Sequence, residues 1–271
     1  MTDILRKIFR KWPKLYKLFS AIYQTVFAPV VSGHAQYYVK YLLFVKRGEV
    51  KKLNLYGLVE PKAYNYREWR IGKGKDGAYR RYYLAYYNGK KCFIKIGKND
   101  ATVSNELDIL SNFKDAEIDF SPKFLVGDFN FANSTVMVTV DFIEGLTKFE
   151  IPGNEETFDD ICKQFNDILD KLTSNGVVHA DIHKGNLMLC DGKLFLLDYG
   201  ISMIKDKGNK IDYVARPGTF YIKKDGYRIY DDAYSFEQLL NQQGVSGEYK
   251  NCINYQNILK RKGNNVLIVK C

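Results

Sequence analysis

The feature that most constrains this chain is the stretch HADIHKGNLMLCDGKLFLLDYG, residues 179–200. An Asp-Gly dipeptide at 191–192, typical of a tight hairpin turn, separates two short apolar runs. Such a hairpin brings its two ends together, so Asp181, Asn186 and Asp198 are expected at one edge. Two carboxylates and an amide are hard oxygen ligands suited to Mg²⁺, and one carboxylate can instead orient an attacking hydroxyl. The stretch therefore predicts the parts of a phosphoryl-transfer site.

The composition is that of a folded protein with an anionic partner. Of 271 residues, 46% are hydrophobic, which favours a globular chain over a disordered one. The formal net charge of +10 favours a nucleotide, a phosphorylated substrate, nucleic acid or an acidic membrane, without choosing among them. The five cysteines form no CxxC pair, so neither a disulfide framework nor a zinc site is predicted, and the reducing cytoplasm is the expected location.

The N-terminal segment, residues 1–31, combines a basic face with an apolar one. It lacks the layout of a secretory signal, and Pro29 and Gly33 break its apolar stretch, so a spanning helix is not expected. Two interpretations stay open: a peripheral anchor on the anionic inner face of the cytoplasmic membrane, and a helix packed on the protein with solvated lysines. The basic residues, followed by the apolar ones at helical spacing, are Arg6, Lys7, Arg10, Lys11, Lys14 and Lys17, then Ile4, Ile8, Trp12, Leu15, Phe19 and Ile22.

From residue 66 onward the pattern predicts strands with one inserted helix. Aromatic and β-branched runs around an Asn-Gly dipeptide predict strand, glycine loop, strand, turn and strand over 66–96. A helix is predicted at 102–113, followed by two strands near 123–130 and 135–142. No element is assigned to residues 37–60.

The spacing H-x-D-x-x-x-x-N, followed by D-Y-G, resembles the catalytic loop and the metal-binding Asp-Phe-Gly of the protein-kinase-like superfamily. The resemblance implies that Asp181 positions and deprotonates an acceptor hydroxyl, and that Asn186 and Asp198 hold Mg²⁺ on ATP. It also implies that His179 braces the loop without reacting.

The same resemblance implies an α+β, two-lobed fold. A basic amphipathic segment at 1–50 would precede an N-lobe at 51–144, with a five-stranded antiparallel sheet and one helix. A compact, mostly helical C-lobe would occupy 145–271. The apolar stripe of 156–176, which ends in a glycine suited to a C-cap, predicts a long helix in that lobe.

Further site residues follow from the resemblance. Lys95, in the strand CFIKI, corresponds to the lysine that holds the α- and β-phosphates of the nucleotide. Glu106 on the next helix is its expected ion-pair partner, with Asp108 as the alternative. Asp232 begins a segment that resembles the helix whose buried aspartate braces the catalytic loop, although an ordinary surface acid is also compatible with the pattern.

The glycines between the first two predicted strands spell GxGxxG and are Gly72, Gly74 and Gly77. Small residues there would let backbone amides approach the phosphates of ATP, whereas the alternative is a plain lysine-glycine turn. A dinucleotide-binding fold requires a helix after the glycines, but a strand pattern follows them, so that interpretation fails.

Three other functions were weighed. His179, Asp181 and His183 could form a transition-metal cluster, but the third histidine of the chain, His34, is distant in sequence. A pseudokinase would be expected to lack a catalytic residue, whereas this chain retains the lysine and both aspartates. Nucleic-acid binding fits the charge, but the sequence contains no recognition motif, so no nucleic-acid partner is expected.

The loop departs from the Ser/Thr protein kinase pattern at His183, where those kinases have lysine. D-x-H-x-G-N instead resembles aminoglycoside and choline kinases, ABC1-like kinases and bacterial lipopolysaccharide core heptose kinases. Lys184 could then supply catalytic charge at the γ-phosphate. RPGTFYI at 216–222 is not followed by Ala-Pro-Glu, and only 39 residues follow Asp232.

The favoured function is therefore an ATP- and Mg²⁺-dependent phosphotransferase acting on a small or lipid-linked sugar acceptor, similar to the lipopolysaccharide core heptose kinases. The alternatives are a small Ser/Thr protein kinase or effector kinase, and a membrane-associated pseudokinase that acts as a binding module.

Overall fold

The computed structural model describes residues 46–64, 70–71, 79–113, 118–132, 135–205 and 219–270. Two regions of functional interest, the segment 1–31 and the loop with Gly72, Gly74 and Gly77, lie outside the described residues. Among the helices in the described part of the chain, none is long and apolar enough to cross a membrane.

An antiparallel sheet forms the N-terminal half of the protein. Its strands are β1 (Leu58–Tyr64), β2 (Arg70–Ile71), β3 (Tyr79–Tyr87), β4 (Lys90–Lys98), β5 (Phe124–Ala132) and β6 (Thr135–Asp141). Five strands lie side by side in the order β1-β3-β4-β6-β5, and the short β2 pairs with the start of β3. The expected antiparallel sheet of five strands is confirmed.

The edge of this sheet differs from the prediction. Of the first strand expected within 66–96, the structure describes β2, and β1 takes the edge position after a helix, α1 (Lys46–Leu55). Proline lacks the N–H that a ladder needs, and Pro61 lies where the β1–β3 register shifts between Val59 and Lys62. An edge strand tolerates this interruption, but the interruption also removes the alternating pattern by which a strand is recognised in a sequence.

The helix α2 (Ala101–Phe113) packs closely on the sheet. A Cβ atom at Gly97 would lie 2.6 Å from Cγ2 of Val103, and one at Gly127 would lie 2.3 Å from Cδ1 of Leu107. Glycine at these two strand positions therefore allows the helix to approach the backbone of β4 and β5. This approach brings Glu106, on α2, towards β4.

The C-terminal half combines helices with many short strands. The described helices are α3 (Glu155–Ser174), α4 (Asp232–Gln242) and α5 (Ile253–Lys260). The short strands are β7 (Thr147–Lys148), β8 (Val177–Val178), β9 (Leu187–Cys190), β10 (Lys193–Leu196), β11 (Met203–Ile204), β12 (Ile222–Lys224), β13 (Tyr227–Asp231) and β14 (Val266–Lys270). They form three small sheets, β10-β9-β7, β11-β8 and β12-β13-β14, so the described part of 145–271 is less uniformly helical than the sequence predicts.

Local signals placed the two elements that flank the site. The predicted long helix is α3, which Asn154 caps by accepting a hydrogen bond from the N–H of Thr157. The predicted hairpin is β9–β10, joined by Asp191 and Gly192 at φ 50° and 76°. Because both turn residues adopt positive φ, the turn matches the geometry that an Asp-Gly dipeptide favours.

Candidate active site

Lys95 lies at the centre of a buried charged cluster. Its Nζ contacts Glu106 and lies 3.1 Å from Oδ1 of Asp198, and its side chain is only 8% exposed. Burial disfavours the ammonium, but the carboxylates of Asp198 and Glu106 outweigh burial and raise the pKa of Lys95. The fold therefore joins a strand, a helix and the end of the β9–β10 hairpin through one cation, and Glu106, not Asp108, makes the helix contact.

The D-Y-G segment turns sharply at Asp198. This residue adopts φ 60°, and its Oδ1 accepts a hydrogen bond from the N–H of Gly200 at 3.3 Å. The next side chain, Tyr199, is fully buried and packs edge-on against Phe113 of α2, with ring centroids 5.4 Å apart. The ring of His179 also packs against Tyr199, at 4.9 Å. The buried tyrosine therefore anchors the segment that carries Asp198.

Asn105, the neighbour of Glu106 on α2, holds the same segment. Its Nδ2 donates to the carbonyl oxygens of Tyr199, Gly200 and Ser202 at 3.2, 3.3 and 2.6 Å. Helix α2 therefore contacts Lys95 through one residue and the D-Y-G backbone through the preceding one. Sequence reasoning did not single out Asn105, because its three partners are backbone carbonyls far along the chain.

Asp232 braces the catalytic loop. It is fully buried at the start of α4, and its carboxylate accepts the N–H groups of His179 and Ala180 at 2.8 and 2.9 Å. These bonds hold Ala180 at φ 62°, in a left-handed conformation that is unfavourable for alanine. The sequence-predicted bracing contact of Asp232 is confirmed.

His179 braces the loop from the other side. Burial lowers its pKa to about 4, so the ring is neutral. Because its Nδ1 accepts the N–H of Asp181 at 3.3 Å, the proton lies on Nε2 and is donated to the carbonyl oxygen of Leu197 at 3.1 Å. The ring thus ties the catalytic loop to the residue before Asp198.

Asp181 is buried and surrounded by donors. Thr219 Oγ1 donates to its Oδ1 at 2.7 Å, and Asn186 Nδ2 donates to its Oδ2 at 3.2 Å and to its carbonyl oxygen at 3.0 Å. Burial alone would raise the pKa of Asp181, but its contacts with His183 and Thr219 lower it below the ordinary value. The carboxylate is therefore ionised at neutral pH and can accept a proton.

The histidine of the D-x-H-x-G-N loop has a local explanation. The N–H of Gly185 donates to Nδ1 of His183 at 2.9 Å, and Nε2 lies 3.7 Å from Oδ1 of Asp181. A Cβ at Gly185 would lie 2.8 Å from Cε1 of His183, so only glycine lets the ring rest on this backbone. His183 thus directs its Nε2–H towards Asp181. The prediction did not name His183 as a site residue, although its spacing to Gly185 is a sequence signal for this ring position.

The two histidines of the loop do not converge as metal ligands. Both ring nitrogens of His179 are engaged by Leu197 and Asp181, as described above. Across the described ranges no group of three His, Cys, Asp or Glu side chains could hold a metal ion. The transition-metal alternative therefore has no support in the geometry.

Magnesium makes smaller demands on the protein. Asp198 and Asn186 line one cavity, and two hard oxygens suffice because Mg²⁺ takes its other ligands from water and phosphates. Since Nδ2 of Asn186 faces Asp181, its amide oxygen is directed to the other side. The residues present therefore fit Mg²⁺.

Lys184 is the predicted catalytic residue that the fold places apart from the charged cluster. Its Nζ forms an exposed ion pair with Glu150, at 3.0 Å. An ion pair of this kind contributes little to stability and can be exchanged for another partner.

A cavity of about 470 Å³ separates the sheet from the catalytic loop. Its lining includes Asn186, Asp198 and Lys95. On the sheet side the rings of Tyr82 and Phe93 are stacked, with centroids 5.6 Å apart and planes at 23°. The cavity is therefore lined both by an aromatic pair and by the charged cluster around Lys95.

Comparison with known proteins supports a kinase-like assignment. Residues 129–231 match the ABC1 atypical kinase-like domain. This match and the geometry of the cleft support membership of the protein-kinase-like superfamily, with a mixed α/β kinase-like fold.

Similar proteins include one curated kinase and one solved kinase structure. The serine/threonine-protein kinase ste20 of Aspergillus oryzae is 28% identical over 163 residues, which cover 56% of this chain and 18% of the relative. The chain therefore spans less than a fifth of the length of that kinase. The solved structure of the Cydia pomonella granulovirus kinase PK-1 is 25% identical, covers 51% of this chain and 55% of that chain, and has a TM-score of 0.39.

Proposed function

We propose that this protein is a Mg²⁺- and ATP-dependent phosphotransferase with an alcohol as acceptor. The observation that carries the proposal is the contact of Lys95 with both Glu106 and Asp198 in a cavity that Asn186 also lines. A single cation between two carboxylates is poised to exchange part of its pairing for nucleotide phosphates once Mg²⁺ occupies Asp198.

The base and the phosphates of the nucleotide would contact different residues of the cavity. The stacked rings of Tyr82 and Phe93 suit a planar base, and Lys95 would bind the α- and β-phosphates. Asp198 and Asn186 would hold Mg²⁺, which neutralises charge on the phosphates. The boundary proposed between an N-lobe at 51–144 and a C-lobe at 145–271 falls within residues 141–146, most of which line this cavity. Gly72, Gly74 and Gly77 would contact the phosphates.

Asp181 is the proposed base. It would accept the proton of the acceptor hydroxyl as that oxygen bonds to the γ-phosphorus, while the bond from the γ-phosphorus to the bridging oxygen breaks and ADP leaves. The hydroxyl of Thr219, which donates to Asp181 at 2.7 Å, occupies the position that an acceptor hydroxyl would take. An acceptor must therefore displace Thr219 or approach the second oxygen of the carboxylate.

For the acceptor we favour a sugar hydroxyl on a lipid-linked glycan. The support is the D-x-H-x-G-N loop, in which His183 lies beside Asp181 where Ser/Thr protein kinases carry a lysine. A Ser/Thr protein kinase is the second candidate, because Thr219 already places a threonine hydroxyl on Asp181. Lys184 would reach the γ-phosphate only by leaving Glu150.

The test measures Mg²⁺-ATP binding and phosphoryl transfer with the full chain, using a membrane glycolipid extract and a protein mixture as acceptors. Asp198→Asn should weaken Mg²⁺-dependent nucleotide binding. Asp181→Asn should bind nucleotide normally but transfer phosphate about 10²–10⁴-fold more slowly, the usual range for loss of a general base. Asp191→Asn, in the exposed hairpin turn, is the matched control and should behave as the parent.

The outcomes separate the candidates. Transfer to glycolipid supports the sugar acceptor, whereas transfer to protein alone supports the second candidate. An Asp181→Asn protein as active as the parent would overturn the assignment of the base. Nucleotide binding without any transfer, including autophosphorylation and ATP hydrolysis, would identify a pseudokinase.

A further inference from the structure

The small sheet β12-β13-β14 presents an apolar row on one face. Ile222 pairs with Ile229, and Ile229 pairs with Ile268, so the three isoleucines lie side by side across the sheet. The residues two positions along each strand form a second row on the same face: Lys224, Tyr227 and Lys270. These six residues are called the outer face below.

The opposite face of this sheet packs on the catalytic loop. Tyr230 and Leu267 are buried in one cluster with Val178 and Ala180, which flank His179 in the chain. The sheet also lies close in the chain to the proposed acceptor position. β12 begins three residues after Thr219, whose hydroxyl contacts Asp181. Whatever binds the outer face is therefore separated from the catalytic loop by this one sheet.

The outer face has an unusual composition for a solvent-facing surface. An antiparallel sheet with one buried face normally carries polar residues on the other. Here Ile268 is 58% exposed, Tyr227 43% and Ile222 36%, and they form one continuous patch. A contiguous exposed apolar patch indicates a binding surface, whereas scattered exposed side chains do not.

Positive charge lies beside this patch. The charged residues of the outer face are Lys224 and Lys270, the adjoining β12–β13 turn adds Asp225, and Lys223 and Arg228 alternate to the opposite face. The outer face therefore carries two cations, in a chain whose formal net charge is +10. An apolar row with a lysine row beside it complements a lipid surface with anionic headgroups.

We propose that the outer face docks on an anionic membrane surface. Ile222, Ile229 and Ile268 enter the headgroup region, Tyr227 lies at the interface, and Lys224 and Lys270 contact anionic headgroups. Docking in this way holds the catalytic loop one sheet away from the bilayer, where a lipid-linked acceptor is presented. This consequence for the acceptor rests on the proposed function, whereas the docking surface itself does not.

The experiment is co-sedimentation of the full chain with two kinds of vesicle, phosphatidylcholine alone and an equimolar mixture with phosphatidylglycerol. The parent should bind the anionic vesicles and release them at high salt, since salt screens the lysines. Ile222→Ser combined with Ile268→Ser should weaken this binding by about tenfold or more, because less apolar surface enters the interface. Ile253→Ser is the matched control, since Ile253 is 69% exposed on α5, away from this sheet.

A second pair of variants tests the charges. Lys224→Glu with Lys270→Glu should abolish the preference for anionic vesicles, whereas Lys51→Glu with Lys163→Glu, exposed on α1 and α3, should leave most of it intact. Every variant is also measured for Mg²⁺-ATP binding and for its urea midpoint. Unchanged values in both show that a loss of docking is not a loss of folding, and they separate failure of this proposal from failure of the proposed phosphotransferase.

Several results would overturn docking. They are absence of binding by the parent, equal binding by the Ile222→Ser/Ile268→Ser protein, and an equal loss in Ile253→Ser. The same conclusion follows if the isoleucine variant converts a dimer to a monomer in sedimentation velocity while vesicle binding is unchanged, since the face would then join two copies of the chain.

Discussion

The two sides of the candidate active site are held in place by different means. On the sheet side, charge faces charge: Lys95 of β4 contacts Glu106 and Asp198. On the loop side, Asp232 and His179 bond mainly to backbone groups of the catalytic loop and the residue before Asp198. A buried ion pair can be replaced by apolar residues with little loss of stability, whereas removal of a buried acceptor leaves its N–H donors unpaired. The charges of the sheet side can therefore be replaced with little loss of stability, whereas the conformation of the loop depends on its buried acceptors.

The largest effect is expected at Asp232. Asp232→Ala leaves the N–H groups of His179 and Ala180 buried without an acceptor, at about 1–3 kcal/mol each. The free energy of unfolding, measured with urea, should therefore fall by about 2–6 kcal/mol. Asp167→Ala, on the exposed side of α3, should change it by less than about 0.5 kcal/mol. A loss at Asp232 no larger than that of the control would contradict the structural role of the loop side.

The pH dependence of stability sharpens the same point. Burial raises the pKa of Asp232 to about 7, although the N–H groups of His179 and Ala180 oppose the rise. The ordinary value in an unfolded chain is about 3.9. The folded protein therefore keeps a proton that the unfolded chain has lost between about pH 4 and pH 7, so this contribution to stability is complete below pH 4 and is lost as the pH rises to 7.

The measurement compares the parent with Asp232→Asn, which cannot titrate. From pH 4 to pH 7 the unfolding free energy of the parent should fall by about 3 kcal/mol relative to that of Asp232→Asn. His179, whose pKa burial lowers to about 4, contributes the opposite slope to both proteins and cancels in the comparison. A difference that does not vary with pH would mean that Asp232 stays ionised throughout.

The sheet side should respond differently to a double substitution. Lys95→Met alone leaves Glu106 buried without its cation and should lower the unfolding free energy by about 3 kcal/mol. Lys95→Met with Glu106→Leu should return it to within about 1 kcal/mol of the parent, while Mg²⁺-ATP binding stays absent. Lys91→Met with Glu144→Leu, at an exposed ion pair, is the control and should keep binding. If the double variant does not regain unfolding free energy, the two sides do not differ in the way described.

The smallest effect is expected where the two sides meet, at Asn105. Asn105→Ala removes the donor to three carbonyl oxygens of the D-Y-G segment and should loosen Asp198 without unfolding the protein. We expect about tenfold slower phosphotransfer and a higher Mg²⁺ concentration at half-maximal rate, with about 1 kcal/mol lost in stability. Asn112→Ala on the same helix is the control. An unchanged Mg²⁺ requirement would leave Asn105 with a purely structural role.

Short-range patterns were enough to predict much of the fold. The Asn-Gly turn of β3–β4, the Asp-Gly turn of β9–β10 and the apolar stripe of α3 each depend on residues within a few positions of one another. β1 was not predicted, because Pro61 and neighbouring charges conceal its alternation. The pairing of β13 with β12 and with β14 was not predicted either, because the sequence does not indicate which strand a short segment will meet.

The sequence by itself determined the residue types of the site, Lys95, Asp181 and Asp198 among them, because their spacing on a strand and a hairpin is a local property. Only the tertiary structure decided what these side chains contact. Lys95 contacts Asp198 although 103 positions of sequence separate them, and Asp232 accepts the N–H of His179 across 53 positions. It also turned Lys184 towards Glu150 and set Thr219 on Asp181. Such contacts depend on how sheet, helix and loop pack together, and packing is decided by the burial of the whole chain rather than by any one segment.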